Sequence, residues 1–548
     1  MKIILRFIVP LLLLAGASCT PNNEPKTSKN VIFMLVDGCS NGALTLSRWY
    51  KQYTQQTDEG LSFDPYMCGQ MRACHINAPT AGSAGAMTTL MCGELVESPN
   101  IGLYPAPRTG NGPDADMYPA DESLALRPLC SVLEAARNEL GKRTGIVVTT
   151  YFCHATPAAT AAHAVSRSEY STITSQMASN LDLCFGGGID HMTPKAREIL
   201  EKRGVDYIEG DFDAFRSWDG ERLWANLAPG GMGYEIDRSE AQPSLAEMTD
   251  KAIRTLSKSK KGFFLMVEGS AVDFAAHGKD PVGVVSEMLS FEQAVEVALD
   301  FARKDGNTTV VVTADHGTAG VVLGDAKYGK YSSWNIATAL GKLPDIKASA
   351  AALAAALADA KPSEMAGIVK ERAGIELTAE EERNLIEVSG KTESDYMQVG
   401  NTKNVQSEIG KIYSSRTHVG YSSGNHSGED VFYAVFPKDN GRPEGFITNV
   451  QMNRFVQKAL GLKTSLRELT DMYFAPAEEV LSSFETGVDK WGDPQIRFTL
   501  PDGTPVAVSA GSSLVTKGGE SVELNVPAVC VSKSGKFYIP RNILKQLQ

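Results

Sequence analysis

The stretch that most constrains this chain is Lys261–His277, KGFFLMVEGSAVDFAAH. Its run Phe263-Phe264-Leu265-Met266-Val267 is unbroken and apolar, the pattern of a strand buried on both faces. Such a strand belongs in an α/β sheet covered by helices. The run stops in Glu268-Gly269-Ser270. A carboxylate therefore stands at the carboxyl end of a central strand, where open α/β sheets bind their ligands. Asp273 and His277 follow four residues apart; on one helical turn both project from the same face and can hold one cation.

The same beat recurs. Asn30–Val36 (NVIFMLV) ends in Asp37-Gly38 and leads into a helix from about Gly42 to Tyr53. Thr144–Thr150 (TGIVVTT) runs into a segment carrying His154 and Thr156, after which a helix carries Arg167 further out. Leu181–Ile189 reads as a strand entering a glycine turn, and Thr308–Thr313 (TTVVVT) ends in Ala314-Asp315-His316-Gly317. Metal-type ligands are thus delivered repeatedly to one edge of one sheet. Ala78–Gly93 begins small and flexible and becomes helical, placing Ser83 near a helix N-terminus, where free N–H groups favour an anion. A plain capping serine gives the same pattern.

At 548 residues two or three domains are expected. Residues 1–18 read as an export signal: Lys2 and Arg6 precede an apolar segment, Phe7–Leu14, too short to span a membrane. Leu13–Cys19 is similar to a bacterial lipoprotein signal, with Gly16 standing where leucine is usual; a cleaved secretory peptide is the alternative. Residues 19–30 form a polar tether, residues 31–475 a catalytic domain with a mostly helical insertion at about 324–416, and residues 480–548 a small β-rich domain. The expected location is extracytoplasmic, in the periplasm or lipid-anchored to a membrane through Cys19. Net charge is −12 and no basic block appears, so no nucleic-acid surface is expected. No Cys-x-x-Cys pair is present, which argues against a thiolate zinc site.

Six separated motifs, VIFMLVDG, SAGAMTTLMCG, HATPAATAAHAVSR, EGSAVDFAAH, TADHG and HSGEDV, together resemble the alkaline phosphatase family of metal-dependent phosphomonoesterases, in that family's order. The resemblance implies a doubly wound, mostly parallel sheet with two Zn2+ and one Mg2+. It matches Asp273, His277 and His426 to the first zinc and Asp37, Asp315 and His316 to the second. Asp37 would also reach the third metal with Thr156 and Glu268, and His154 lies beside it; Ser83 falls on the nucleophile and Arg167 on the phosphate-binding arginine. Zinc takes mixed nitrogen and oxygen ligands, as in the first two sets, while magnesium prefers oxygens. The implied reaction is hydrolysis of small phosphate monoesters through a phosphoserine, with a homodimer as one assembly to expect. A phosphodiesterase of the same superfamily and a non-catalytic zinc-binding surface lipoprotein are the alternatives. Arg167 favours a monoester, because its fork can take two non-bridging oxygens while a third is left for the metals.

The chain departs from the best-studied bacterial pattern at the third metal: His154 stands where an aspartate is usual and Phe274 where a lysine is usual. Nitrogen in place of oxygen shifts that site's preference towards zinc, so magnesium-dependent activity in excess zinc and weak inhibition by inorganic phosphate are expected. His75, His163, His191 and His418 read as histidines away from the metals.

Overall fold

The computed structural model describes residues 25–106, 118, 120–325, 327, 329–330, 332 and 334–548. Residues 1–24, which carry the expected export signal, Cys19 and part of the expected tether, lie outside the described residues. No helix among the described residues is long and apolar enough to cross a membrane.

A ten-stranded sheet organises the chain. Its strands are β1 (Asn30–Val36), β2 (Met67–Arg72), β3 (Arg143–Tyr151), β4 (Leu183–Gly187) and β5 (Asp206–Glu209). They are joined by β6 (Leu223–Asn226), β7 (Phe263–Gly269), β8 (Thr308–Ala314), β9 (Val431–Phe436) and β10 (Gly445–Thr448). The spatial order is β10-β2-β9-β8-β1-β7-β3-β4-β6-β5. Every neighbouring pair is parallel except the two made by β9, which runs against both β8 and β2. The fold class expected from the sequence is the one found.

Strands β1, β7 and β8 are buried along their whole length, as their apolar runs require when helices cover both faces. Register then sets the alignment of their ends. Leu35 pairs with Glu268, and Val36 pairs with both Gly269 and Ala314. Asp37, Glu268 and Asp315 therefore reach the carboxyl edge side by side. At the turn after β1, Gly38 has φ +71°, and a Cβ there would lie 2.6 Å from the Asp273 Cβ. Glycine is what lets the turns after β1 and β7 deliver both carboxylates to one place.

The region expected as an insertion is helical for most of its length, with helices Ile336–Leu340, Ala350–Leu357, Pro362–Ala373, Ala379–Glu387 and Val405–Thr417. Thr378 caps the fourth of these with Glu381 in a reciprocal capping box. Two short antiparallel ladders, Val321–Leu323 on Val419–Tyr421 and Gly317–Thr318 on His426–Ser427, zip the two ends of the region together. The chain ends in a five-stranded antiparallel sheet (residues 485–523) with its own apolar cluster, including Ile496, Val508 and Ile543. The strands Glu485–Val488 and Leu514–Lys517 of that sheet were not expected from the sequence. The eight described cysteines are free thiols.

Candidate active site

The structure brings all the candidate residues to the carboxyl edge. The helix Ser83–Cys92 opens directly on Ser83, and Gly82 occupies the cap position without a side-chain cap. The capping reading of Ser83 is thereby replaced: its hydroxyl lies 3.5 Å from Asp37 Oδ2 and 3.3 Å from His316 Nε2. His75, with Nε2 3.0 Å from the Gly82 amide nitrogen, fixes the turn that precedes it.

Around Ser83 stand two overlapping donor sets. In one, His277 Nε2 and His426 Nε2 lie 3.5 and 3.7 Å from Asp273 Oδ1. In the other, His316 Nε2 is 3.5 Å from Asp37 Oδ1 and 3.3 Å from Asp315 Oδ2. His316 stacks on His426 with ring centroids 3.8 Å apart, so it borders both sets, and Asp273 and His426 also form a group with His316 whose donor atoms lie within 4.8 Å of one another. The sequence assigns His277 to that place. His277 lies against the same atoms, 3.1 Å from His426 Nε2.

The far nitrogens decide what the near ones can do. His277 Nδ1 lies 2.7 Å from the Gly424 carbonyl, and His426 Nδ1 lies 2.7 Å from that of Ala81. A carbonyl only accepts, so both Nδ1 atoms carry hydrogen and both Nε2 lone pairs face inward. Two lone pairs at that separation are reconciled by a cation between them.

The third group is Asp37, His154 and Glu268, whose donor atoms lie within 4.8 Å of one another. Thr156 Oγ1 donates to Asp37 Oδ2 at 3.2 Å. Arg167 reaches the same corner: its Nη2 lies 2.6 Å from His154 Nε2 and 3.0 Å from the Tyr396 hydroxyl. Phe274 meets the His154 ring edge-on at 5.6 Å.

Burial pushes the Asp37 carboxyl well above the usual range, and the charges of Asp315, Asp273 and Glu268 add to this. Burial, then Asp315, raises Glu268 to about 8; burial, then Asp273, raises Asp315 to about 7. Burial lowers His154, His316 and His426, keeping these rings neutral. Asp37 Oδ1, both Glu268 oxygens, Asp273 Oδ2, Asp315 Oδ2 and His154 Nδ1 are buried with no hydrogen-bond partner. Buried polar atoms are seldom left unpaired. Orphaned atoms converging from four loops fit divalent cations.

Sequence reasoning missed three contributors. Thr318 donates to Asp273 Oδ1 at 2.5 Å. Glu429 accepts from the Asn41 amide at 2.9 Å and from the Ser427 hydroxyl at 2.8 Å, tying the HSGEDV segment to the head of the first helix. Tyr396 comes from the region between residues 324 and 416, where no motif points to it. Thr318, two residues past the TADHG histidine, was the one within reach of sequence analysis. His163 pairs instead with Glu134 at 3.0 Å, well outside the metal groups.

A serine at a helix head, ringed by buried carboxylates and inward-facing imidazoles on the edge of a doubly wound sheet, defines a metal-dependent hydrolase. Its sequence bears the pattern of the alkaline phosphatase family across residues 28–462, and the chain belongs to that family. It is 32% identical to alkaline phosphatase 3 of Bacillus subtilis over 447 residues, covering 79% of this chain and 89% of that one. The alkaline phosphatase of Escherichia coli is 29% identical over 354 residues, 54% of this chain and 72% of that one. Among solved structures, the cold-active enzyme of a Shewanella species superposes with a TM-score of 0.66 at 25% identity, over 79% of this chain and 99% of that one. The Thermus thermophilus enzyme gives 0.69 at 22% identity, over 84% and 99%, a likeness of fold. The chain is accordingly a phosphatase with metal-binding residues at its site.

Proposed function

We propose that the protein is an exported phosphomonoesterase that works through a phosphoserine on Ser83, with two Zn2+ and one Mg2+. The observation that carries this reading is the placement of Ser83 Oγ within 3.5 Å of both Asp37 and His316 at the head of a helix. Asp273, His277 and His426 would hold one zinc, Asp37, Asp315 and His316 the other, and Asp37, Thr156, Glu268 and His154 the magnesium; the orphaned oxygens and nitrogens support this division. The alkaline phosphatase of the Antarctic bacterium TAB5, alike in fold, has been solved with magnesium in its M3 site as a variant carrying aspartate in place of a histidine.

When bound, these cations supply Lewis acidity to the attacking and leaving oxygens. Ser83 Oγ forms the bond to phosphorus while the bond from phosphorus to the alcohol oxygen breaks; water then cleaves the phosphoserine, releasing phosphate and restoring Ser83. Arg167 offers its fork to two non-bridging oxygens; a diester has two as well, but a monoester keeps a third for the cations and carries a second negative charge. The His277 and His426 rings are oriented through the Gly424 and Ala81 carbonyls.

The test is release of p-nitrophenol from the monophosphate and from its bis ester, with and without a chelator, in wild type and Ser83→Ala. Monoester turnover that vanishes with the chelator and falls by several powers of ten in Ser83→Ala is expected. Faster turnover of the bis ester would point to a phosphodiesterase, and no turnover of either to a binding protein.

The pattern at Met1–Cys19 supports export with a lipid on Cys19. Cys19→Ala should move the protein from the membrane to the soluble fraction; equal release of wild type would leave a cleaved secretory peptide. The separate apolar cluster of the C-terminal sheet supports a division between residues 475 and 480.

A further inference from the structure

Arg167 has no carboxylate partner among the described residues; its guanidinium bonds to His154 and Tyr396. Tyr396 opens the short helix Tyr396–Asn401, outside every motif of the chain. The segment is seated firmly. Asp395 accepts from the Met397 amide, and Asn401 donates to Asn425 beside His426 at 2.8 Å. A Cβ on Gly400 would collide with the His277 carbonyl oxygen, so backbone meets backbone there. The Tyr396 ring packs edge-on against Phe274 at 4.5 Å and His277 at 5.6 Å, which aims the hydroxyl at the third donor group.

That hydroxyl can accept where both its bonded neighbours donate. A guanidinium only donates, and His154 Nε2 accepts from it only while Nδ1 carries the ring hydrogen. Once the buried, unpartnered Nδ1 serves a cation, Nε2 carries the hydrogen and becomes a second donor facing Arg167. The Tyr396 oxygen, 3.0 Å from Arg167 Nη2 and 3.2 Å from His154 Nε2, can accept from both. We propose that Tyr396 is the positioning residue for Arg167: it holds the guanidinium over the metal cluster with its free edge turned to the phosphate, and so sets the affinity for monoesters and for product phosphate. This inference rests on the phosphomonoesterase reading and adds to it a residue from the inserted region.

The experiment compares wild type, Tyr396→Phe, Arg167→Ala and the double variant, all loaded with zinc and magnesium. Inorganic phosphate is the probe, by calorimetry and as a competitive inhibitor, alongside KM and kcat for p-nitrophenyl phosphate. Phenylalanine keeps the ring contacts, so thermal unfolding reports whether the fold is intact. Tyr396→Phe should weaken phosphate binding about 3–10-fold and raise KM by a similar factor, the loss falling on KM rather than kcat. In the Arg167→Ala background the same change should add nothing further. Unchanged or tighter phosphate binding in Tyr396→Phe overturns the proposal. So does an equal penalty with and without Arg167, which would mark a packing effect. A wild type that binds no phosphate would instead sink the phosphatase reading itself.

Discussion

Two regions build this site by different means. The carboxyl edge of the sheet places Asp37, Glu268 and Asp315 by strand register, so each ligand's position follows from pairings along buried β1, β7 and β8. The segment Tyr396–Asn401 places one hydroxyl chiefly by packing, backbone against the end of the helix Ala271–His277, with Asn401 bonded to Asn425. The edge leaves little latitude, because Asp37, Glu268 and Asp315 are fully buried there. The region between residues 324 and 416 meets the site through the Tyr396 hydroxyl, the Gly400 backbone and Asn401. Precision that comes from register is written in sequence patterns; precision that comes from packing is not.

Metal removal should separate the two most strongly. Without cations, burial and mutual repulsion raise Glu268 to about 8 and Asp315 to about 7, above their values in the unfolded chain. Groups raised in this way stabilise the fold below about pH 4, and that contribution is lost as pH climbs through about 7 and 8. Chelated protein should therefore melt roughly 10 °C below the loaded form, with a wider gap at about pH 9 than at about pH 6. Calorimetric scans at both pH values decide it; an equal gap at each would mean that the carboxylates are not the source.

A smaller effect is expected at the seam. Gly400→Ala drives a Cβ into the His277 carbonyl oxygen and should cost about 1–3 kcal/mol, with a rise in KM as Tyr396 shifts. Melting temperature and KM measured together check this. If neither moved, the inserted segment would not be seated as described, and the contrast between the regions would lose its second half.

Much of the edge was legible from sequence. Unbroken apolar runs ending in a carboxylate identify strands covered on both faces, and the ends of those strands identify the site. The C-terminal strands were read only in part, because Glu485–Val488 is exposed along its length and Leu514–Lys517 buries one residue of its four. No period emerges from so little burial. That His316 also borders the set of Asp273 and His426 was beyond sequence, since it depends on ring stacking between His316 and His426. Tyr396 carried no signal at all: what aims it is a close approach at Gly400, in a stretch that holds none of the six motifs.

The reversed strand β9 has a further consequence. Because β8 ends at the carboxyl edge and β9 begins there, the chain leaves the sheet and re-enters it on the same side. Everything from residue 324 to 416 is, in connectivity, one long hairpin loop, pinched shut by the ladders at residues 317–323 and 419–427. Such a loop is an exchangeable cassette. Its contents can be lengthened, trimmed or replaced without rethreading a strand, while Asp315 and His316 on one side and His426 on the other keep their places. The length of that cassette can then change apart from the edge, so long as Tyr396 keeps its place beside Arg167.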